Sequence, residues 1–389
     1  MSSLSVSRRF LVSSPGPNGP RPTLASVLRS RYRCAMFALA LALVLSADPV
    51  DAGTPPLPFL RLRAVGDVML GTTVPEGHLP PDDGAHLLDA VIPLLQDADL
   101  TFANMEGPLC DTGTSNKCRK GGNCFAFRTP TAYGKYVEAA GIDLASTANN
   151  HAADFGEACR RQTERTLDEH HVAWSGPVGT VGHVTVKGKT LSLVAFHTSS
   201  MTNDVNDLAA AQKLVREVAK TSDLVVVSFH GGAEGTNATH VKDGAEKFLG
   251  ENRGDLKVFT HGVIDAGAHL VLGHGPHVLR AMEVYQGHLI AYSLGNFATY
   301  GRFDLSGPLS IAVMLEVWLD DQGRFAGGKL LPTKQQGRGR AQPRREGARR
   351  GHGARAVGRR LSEDRREGRR RRHPVGPVRR RLTSRRPTR

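Results

Sequence analysis

Short apolar runs alternate with segments of helical periodicity through the first two thirds of this chain, and a series of apolar runs follows. Runs rich in Leu, Val, Ile and Phe predict strands at residues 60–65, 100–103, 142–147, 191–196, 224–229 and 269–272. Apolar residues three and four apart predict helices at residues 86–95, 131–140, 157–171, 207–221 and 256–266. Four more strands are predicted at residues 278–284, 289–293, 309–317 and 325–331.

This order of elements predicts an α/β protein. Strand–helix alternation is typical of parallel pairing, and the closing run of strands indicates a mixed sheet or two sheets that face each other. In such folds ligands collect at the C-terminal ends of the strands. The side chains that follow each predicted strand are therefore the first candidates for a functional site.

The two ends of the chain differ in composition from the middle. In residues 1–52, three arginines precede an apolar run and small residues follow it, which predicts a secretory signal, with an uncleaved anchor as the alternative. Residues 337–389 have no apolar periodicity and predict a disordered tail, which is either a polyanion-binding arm or the product of a shifted reading frame. Residues 53–336 are then the folded domain of an exported protein, periplasmic, extracellular or anchored at the cell envelope.

The formal charge of +14 comes from the ends of the chain. The tail holds 21 Arg against 4 acidic residues, a net of +17, and residues 1–52 add +4. This leaves a net of −7 for residues 53–336. Because the folded domain is mildly acidic, a nucleic-acid partner is not expected from it, and such binding would rest on the tail alone.

Four cysteines remain beyond the N-terminal segment: Cys110, Cys118, Cys124 and Cys159. An even number in an exported chain predicts disulfides, although spacing does not fix the pairing. The alternative is a zinc site, but the gaps are wider than the usual spacing of zinc ligands.

Carboxylates and amides follow the first two predicted strands. Asp67 comes after a strand and a glycine, so its carboxylate can reach a metal ion, and closing a turn is its alternative role. Asn104 and Glu106 point to the same side if their strand continues through them. Glu106 could then bridge two cations, whereas the alternative is a capping pair before Gly107.

The third strand end carries Asn149, Asn150 and His151. An amide oxygen of this group can bind a metal, and His151 can donate a proton to a leaving group. Asp154 either orients His151 or caps the next helix.

Histidines follow two later strands. His230 lies next to two glycines with Glu234 nearby, and His274 and His277 flank a Gly-Pro turn that lets their rings converge on one ion. Asn296 follows a further predicted strand and could bind substrate or form a turn. The remaining histidines, His197 among them, are interpreted as surface or core residues.

Taken in order, these motifs resemble the CapA family of bacterial capsule and poly-γ-glutamate synthesis proteins, which is similar to the calcineurin-like metallophosphoesterases. The resemblance rests on the segments VGDVMLG (65–71), ANMEG (103–107), ANNH (148–151), HGG (230–232), GHGPH (273–277) and YSLGNF (292–297). It covers about residues 60–335 and implies a four-layer α/β/β/α sandwich with metals at one edge.

The resemblance also implies roles for individual residues. Glu106 takes the place of a bridging aspartate, and His151 that of the catalytic histidine. The implied ligands are Asp67, Asn150, His230, His274 and His277. Two features depart from the phosphoesterases: Met69 stands where they have a histidine, and the Asn104/Glu106 pair replaces their bridging aspartate. Gly275 also stands where a histidine is common in the CapA family.

The functional hypothesis is an exported hydrolase-like protein with one or two divalent cations, Mn²⁺ or Zn²⁺, acting in surface-polymer metabolism. Its expected partners are an anionic polymer such as poly-γ-glutamate, or a precursor, and membrane-bound synthase subunits. Asn104, Asn149, Glu234 and Asn296 are its expected substrate-binding residues, and His151 and Asp154 its catalytic ones. The rival hypothesis is a non-catalytic factor that binds the polymer or assembles the synthase, and Met69 favours it.

Overall fold

The computed structural model of this protein describes residues 59–344, apart from residues 116 and 118–124. Its α-helices are α1 (Ile92–Leu95), α2 (Gly134–Ala139), α3 (Gly156–Glu169), α4 (Leu208–Ala219) and α5 (Leu256–Asp265). Its strands are β1 (Leu60–Met69), β2 (Leu100–Met105), β3 (Leu144–Ser146), β4 (Ala173–Ser175), β5 (Gly182–Val186), β6 (Lys189–His197), β7 (Asn203–Asp204), β8 (Leu224–His230), β9 (Lys247–Phe248), β10 (Glu251–Asn252), β11 (Leu270–His274), β12 (Met282–Tyr285), β13 (His288–Ala291), β14 (Asn296–Thr299), β15 (Ile311–Leu319), β16 (Phe325–Gln336) and β17 (Arg340–Pro343).

The strands form two large mixed sheets. The first sheet has the order β17-β16-β15-β1-β2-β3-β4, with β14 also paired to β1, and the second has the order β12-β13-β11-β8-β6-β5, with β7 paired to β6. Strands β1 to β4 run parallel, as do β6, β8, β11 and β13. Antiparallel strands flank the parallel strands at the centre of each sheet. The parallel centres place the C-terminal ends of many strands at one edge of each sheet.

The two sheets pack face to face, and helices cover their outer faces. Leu62 and Phe102 of the first sheet share one apolar core with Val226 and Leu272 of the second. Helices α2 and α3 pack on the outer face of the first sheet, and α4 and α5 on that of the second. Strand β8 is buried at every position because successive residues face these two different cores. The predicted α/β/β/α sandwich is confirmed.

One predicted helix is mostly wrong. Residues 86–95 form a helix only in the four residues of α1, which has Pro93 near its start. Proline lacks an N–H donor and its ring clashes with the carbonyl four residues earlier, so a helix cannot run through it from residue 86. Among the described residues, no helix has the length and hydrophobicity to cross a membrane.

The first sheet continues past the expected domain boundary at residue 336. Gly337 and Gly339 have φ of 60° and 125°, which lets the chain turn and pair β17 with β16. Near this turn the Gln335 side chain accepts a hydrogen bond from Thr299 N (2.7 Å) and donates one to Asn296 O (3.1 Å). The end of β16 therefore supports β14. Residues 1–58 and 345–389, and the expectations for them, lie outside the described residues.

A disulfide joins Cys110 to Cys159. It links the loop after β2 to helix α3, and both cysteines are fully buried in a small cluster that includes Phe155. The expected disulfide is thus present, and these two cysteines do not serve as zinc ligands. Cys118 and Cys124 lie outside the described residues.

Removal of this bridge is expected to destabilise the protein. Cys110→Ala/Cys159→Ala should lower the free energy of unfolding by about 2–4 kcal/mol, because the unfolded chain regains freedom over the closed loop. Denaturant unfolding of the wild type and the double variant measures the difference. Non-reducing peptide mapping of the wild type checks the pairing, and free thiols at both positions would contradict it.

Candidate metal centre

The predicted ligands converge where the C-terminal ends of the two parallel centres meet. Asp67 lies in β1 and Glu106 follows β2 in the first sheet, whereas His230 and His274 end β8 and β11 in the second. Across the interface, His274 Nδ1 lies 3.6 Å from Asp67 Oδ1 and His230 Nε2 lies 3.9 Å from Glu106 Oε1. The strand ends that carry the predicted ligands thus form one buried cluster.

Close backbone approach at Gly66 positions Asp67. A Cβ atom at Gly66 would lie 1.8 Å from the carbonyl oxygen of Gly295, so only glycine fits. Asp67 N then donates a hydrogen bond to that same oxygen (3.0 Å). The glycine before the aspartate therefore allows the loop before β14 to approach the cluster.

Asp67 accepts hydrogen bonds on both carboxylate oxygens. Asn104 Nδ2 donates to Oδ1 (2.8 Å), and His277 Nδ1 donates to Oδ2 (3.0 Å). Burial by itself raises the pKa of Asp67, but the hydrogen bond and charge of His277 bring it below its ordinary value. Burial lowers the pKa of His277, yet the charges of Glu106 and Asp67 outweigh it and raise that pKa to about 10. The two carboxylates therefore favour positive charge beside them.

Glu106 is the most exceptional group of the cluster. It is fully buried, and neither carboxylate oxygen has a hydrogen-bond partner. Its Oε1 is surrounded by imidazole nitrogens at longer range, at 3.7 Å from His277 Nε2 and 3.8 Å from His151 Nε2. Burial and the charge of Asp67 raise the pKa of Glu106 well above its ordinary value. A buried carboxylate without donors is costly unless a cation compensates it.

Three other predicted ligands also carry buried atoms without hydrogen-bond partners. They are Asn150 Oδ1, His230 Nε2 and both ring nitrogens of His274. Burial lowers the pKa of His274 to about 4 and that of His230 well below its ordinary value, which favours the neutral ring, the form that ligates metals. Three potential ligand atoms, one each from Asp67, Glu106 and His277, also lie within 4.8 Å of one another. The donor set fits a divalent cation that takes oxygen and imidazole ligands.

His151 and Asp154 form a hydrogen-bonded pair beside Glu106. His151 Nδ1 donates to Asp154 Oδ2 (2.7 Å), which also accepts from Phe127 N (2.8 Å), while Lys117 Nζ donates to Asp154 Oδ1 (2.8 Å). Helix α3 begins at Gly156 without a side-chain cap. Of the two roles considered for Asp154, the geometry therefore favours the orientation of His151. Burial lowers the pKa of His151, although Asp154 opposes this.

The three asparagines expected to bind substrate lie within the cluster. Asn149 donates to Met105 O (2.9 Å) and accepts from His151 N (3.0 Å), so it fixes the turn that carries His151. Asn296 Oδ1 accepts from His277 Nδ1 (2.9 Å), and Asn104 is bonded to Asp67 as described. Their burial favours a role in positioning the ligand set, and substrate binding by them stays a prediction.

Glu234 lies at the edge of the cluster and is partly exposed. Its Oε1 pairs with Arg253 (2.9 Å), and its Oε2 lies 3.7 Å from His277 Nε2. It is therefore close enough to act on a ligand that approaches His277.

Several residues at the site were not singled out from the sequence. His197 ends β6 and donates from Nδ1 to His230 O (2.8 Å), so the strand-end rule applied to β6 would have found it. Phe127 stacks on His151 with ring centroids 4.1 Å apart, and Phe303 stacks on Phe127 and contacts His277. No short motif marks these aromatic residues, because their contacts depend on how distant loops pack.

Met69 and Gly275, which depart from the sequence pattern expected at their positions, each have a structural explanation. Met69 is fully buried, its side chain packs against Gly107, and its sulfur accepts a hydrogen bond from Gly71 N (3.2 Å). Gly275 has φ of 112°, and a Cβ there would lie 2.7 Å from Gly231 O. Met69 is thus a core residue, and no side chain fits at Gly275 without movement of the facing backbone.

Fold and site together define a four-layer α/β/β/α protein with a cluster of carboxylates and imidazoles at the sheet ends. Residues 61–300 match the family described as bacterial capsule synthesis protein PGA_cap. The chain belongs to this family, and the resemblance drawn from the sequence motifs is confirmed.

Curated relatives carry related descriptions. The chain is 25% identical over 260 residues to the capsule biosynthesis protein CapA of Bacillus anthracis, with 61% of this chain and 59% of the relative covered. It is 27% identical over 262 residues to the PGA biosynthesis protein CapA of Bacillus subtilis, with 61% and 63% covered. The match thus spans about three fifths of the length of these relatives.

Among solved structures, a 5'-nucleotidase precursor from Thermus thermophilus is similar. The TM-score is 0.35 at 13% sequence identity, with 70% of this chain and 54% of that chain covered. This likeness is low, whereas the two mixed sheets and the helices outside them define the four-layer fold directly.

The buried carboxylate of Glu106, which has no hydrogen-bond partner, allows a test of the candidate metal centre that needs no substrate. In chelator-treated protein, Glu106→Gln should raise the free energy of unfolding by about 1–3 kcal/mol, because it removes a buried charge that has no donor. A carboxyl whose pKa is raised on folding stabilises the fold below its unfolded pKa, and this contribution is lost as pH rises through the folded pKa. The advantage of Glu106→Gln should therefore be larger at pH 8 than at pH 5.

Denaturant unfolding at both pH values measures this effect. Glu246→Gln is the matched control, because Glu246 is buried but paired with Arg280 at 2.8 Å, and its loss should destabilise the protein. Destabilisation of the chelated protein by Glu106→Gln would contradict the assignment.

Proposed function

We propose that this protein is a metal-dependent hydrolase that acts on an anionic surface polymer, or its precursor, during capsule-type polymer synthesis or processing. The observation that carries the proposal is the set of buried atoms without hydrogen-bond partners on Glu106, Asn150, His230 and His274. A purely structural core would pair or remove such groups, because each one costs folding free energy.

On this proposal, one or two divalent cations, Mn²⁺ or Zn²⁺, are held by Asp67, Glu106, Asn150, His230, His274 and His277. Cations bound there supply Lewis acidity and lower the pKa of water. Asn104 and Asn296 keep Asp67 and His277 in place through the hydrogen bonds described above. Phe127 and Phe303 stack on each other and pack against His151 and His277, which limits the motion of these two rings.

His151 is the proposed proton donor to the leaving group. Its Nδ1 is committed to Asp154, so its Nε2, which faces Glu106, is the atom that gives or takes a proton. Asp154 fixes the ring and balances its positive charge, and Lys117 and Phe127 N keep that carboxylate in place. Stacking on Phe127 further limits rotation of the ring.

The proposed substrate class and location follow from the relatives. Two of them are described as capsule and PGA biosynthesis proteins, which supports a poly-γ-glutamate-type polymer, action at the cell envelope and synthase subunits as partners. An export signal in residues 1–52 and a separate tail beyond β17, in place of one that begins at residue 337, remain part of the proposal.

A second candidate function is a non-catalytic factor that binds the polymer or assembles its synthase. Met69 favours it, because a buried thioether in the core stands where the phosphoesterases carry a histidine. A protein that binds metal and polymer but hydrolyses neither phosphodiester nor γ-glutamyl bonds would establish this second function.

Hydrolysis is tested with the purified full chain on bis(p-nitrophenyl) phosphate and γ-glutamyl p-nitroanilide. Activity with Mn²⁺ or Zn²⁺ should be abolished by a chelator. His151→Gln should lower kcat by about 100-fold or more, because it removes the proton donor. His261→Gln is the matched control, since His261 pairs with Glu283 and stacks on Tyr285 outside the cluster. Equal activity in His151→Gln and the control would contradict the assignment.

Metal content is tested separately by elemental analysis of the purified wild type beside Asp67→Ala and His274→Ala. Both variants should lose at least half of the bound metal, because each lacks one side chain of the donor set. His261→Ala should retain the wild-type amount. Equal metal in all four proteins would remove the basis for the centre.

A further inference from the structure

A cavity of about 920 Å³ opens from the cluster to the surface. Its lining includes Asn150, His151 and His277 and extends to many residues outside the cluster. A phosphate or carboxylate group occupies only a small part of such a volume, which is in the range that holds drug-sized ligands. The cavity therefore has room for a large part of a ligand beyond the group that reacts.

Exposed apolar side chains gather at the mouth of this cavity. Leu249 is 88% exposed, Met201 53% and Phe125 44%, and all three line the cavity. Val178, 64% exposed, adjoins Met201, because its N–H donates to Met201 O (3.3 Å). Single exposed apolar residues are ordinary, but a group around one opening indicates a contact surface.

Leu249 also has an unfavourable backbone conformation. It lies with Gly250 in the two-residue turn between β9 and β10, and its φ is 48°. Such turns favour Asn, Asp or Gly, and a leucine there is disfavoured even before its exposure is considered. A residue that is both strained and exposed costs stability in the free protein, so contact with a ligand is a reason for its presence.

Basic side chains line the same walls. Lys117 pairs with Asp154 and Arg160 with Glu164, and Arg302 lies over the ring of Phe125 at 5.1 Å. The acidic Glu234 and Glu251 are both paired with Arg253. The cavity thus combines charge-compensated polar walls with an apolar mouth. A purely polyanionic chain would leave that mouth in contact with polar groups.

We propose that the ligand of this cavity is an amphipathic anion, whose phosphate or carboxylate group lies at the cluster and whose aliphatic chain lies against Leu249, Met201 and Phe125. This inference rests on the proposed function for the reacting end of the ligand. It narrows the substrate class from anionic polymers in general to an anion that carries an apolar chain near the bond to be broken.

The test measures binding by calorimetry of the metal-loaded full chain. The probes are n-alkyl phosphates and N-acyl glutamates with chains of four, eight and twelve carbons, each below its critical micelle concentration. Affinity should rise about tenfold or more from the shortest to the longest chain, because each buried methylene favours binding. Leu249→Asn and Met201→Gln should each reduce that gain at least about threefold.

The variants are chosen so that folding is preserved. Asn suits the backbone conformation of residue 249 better than Leu does, so Leu249→Asn should not weaken the turn. Leu330→Thr is the matched control, because Leu330 is 44% exposed on β16 and does not line the cavity. It should keep the full dependence on chain length.

Several results would overturn the proposal. They are affinity that does not depend on chain length, equal losses in Leu330→Thr and Leu249→Asn, and failure of both probe series to bind at millimolar concentration. Co-sedimentation with phosphatidylglycerol vesicles without binding of monomeric probes would instead identify the mouth as a membrane contact. If the chain-length dependence is found in a protein that neither retains metal nor hydrolyses model substrates, the proposed function fails while the amphipathic ligand stands.

Discussion

Two buried carboxylates share one small space at the junction of the sheets, and the arrangement of the whole site depends on compensation of their charge. Asp67 is satisfied by Asn104 and His277, whereas Glu106 has only imidazoles at longer range. Removing such charges from water costs several kcal/mol each unless positive charge or donors replace the water. The strand ends, the close backbone contact at Gly66 and the Gly-Pro turn between His274 and His277 all bring side chains that can compensate charge close to these two carboxylates. The fold thus accepts an unfavourable local arrangement that a purely structural protein would lack.

The disulfide connects the chain segment that carries Glu106 to the segment that carries His151 and Asp154. Cys110 lies four residues after Glu106, and Cys159 lies five residues after Asp154 in the same segment that carries His151. A link between these segments limits their relative motion in a part of the chain with few regular elements. Glu106 and the His151–Asp154 pair therefore keep a common frame, which suits a site whose groups lie 3.8 Å apart.

Much of this could be predicted from the sequence because parallel strands impose a simple rule. Side chains that follow such strands meet at one edge, so Asp67, His230 and His274 could be expected together although they are far apart in the chain. The sequence could not predict that Glu106 lacks donors, that Phe127 stacks on His151, or that Leu249 stands at the mouth of a cavity. Those features depend on loop packing between distant segments. The failure of the predicted helix at residues 86–95 has a local cause, since the apolar pattern continues through a proline that a helix begun at residue 86 does not tolerate.

The hairpin of β16 and β17 has a practical consequence for where the protein can be shortened. A protein that ended at residue 336 would lose β17 and expose the backbone donors and acceptors of β16, an edge to which neighbouring molecules can add as strands. It would also loosen the support that Gln335 gives to β14, whose first residue, Asn296, bonds His277. A recombinant form intended for crystallisation should therefore keep residues 337–344, even when the arginine-rich remainder is removed.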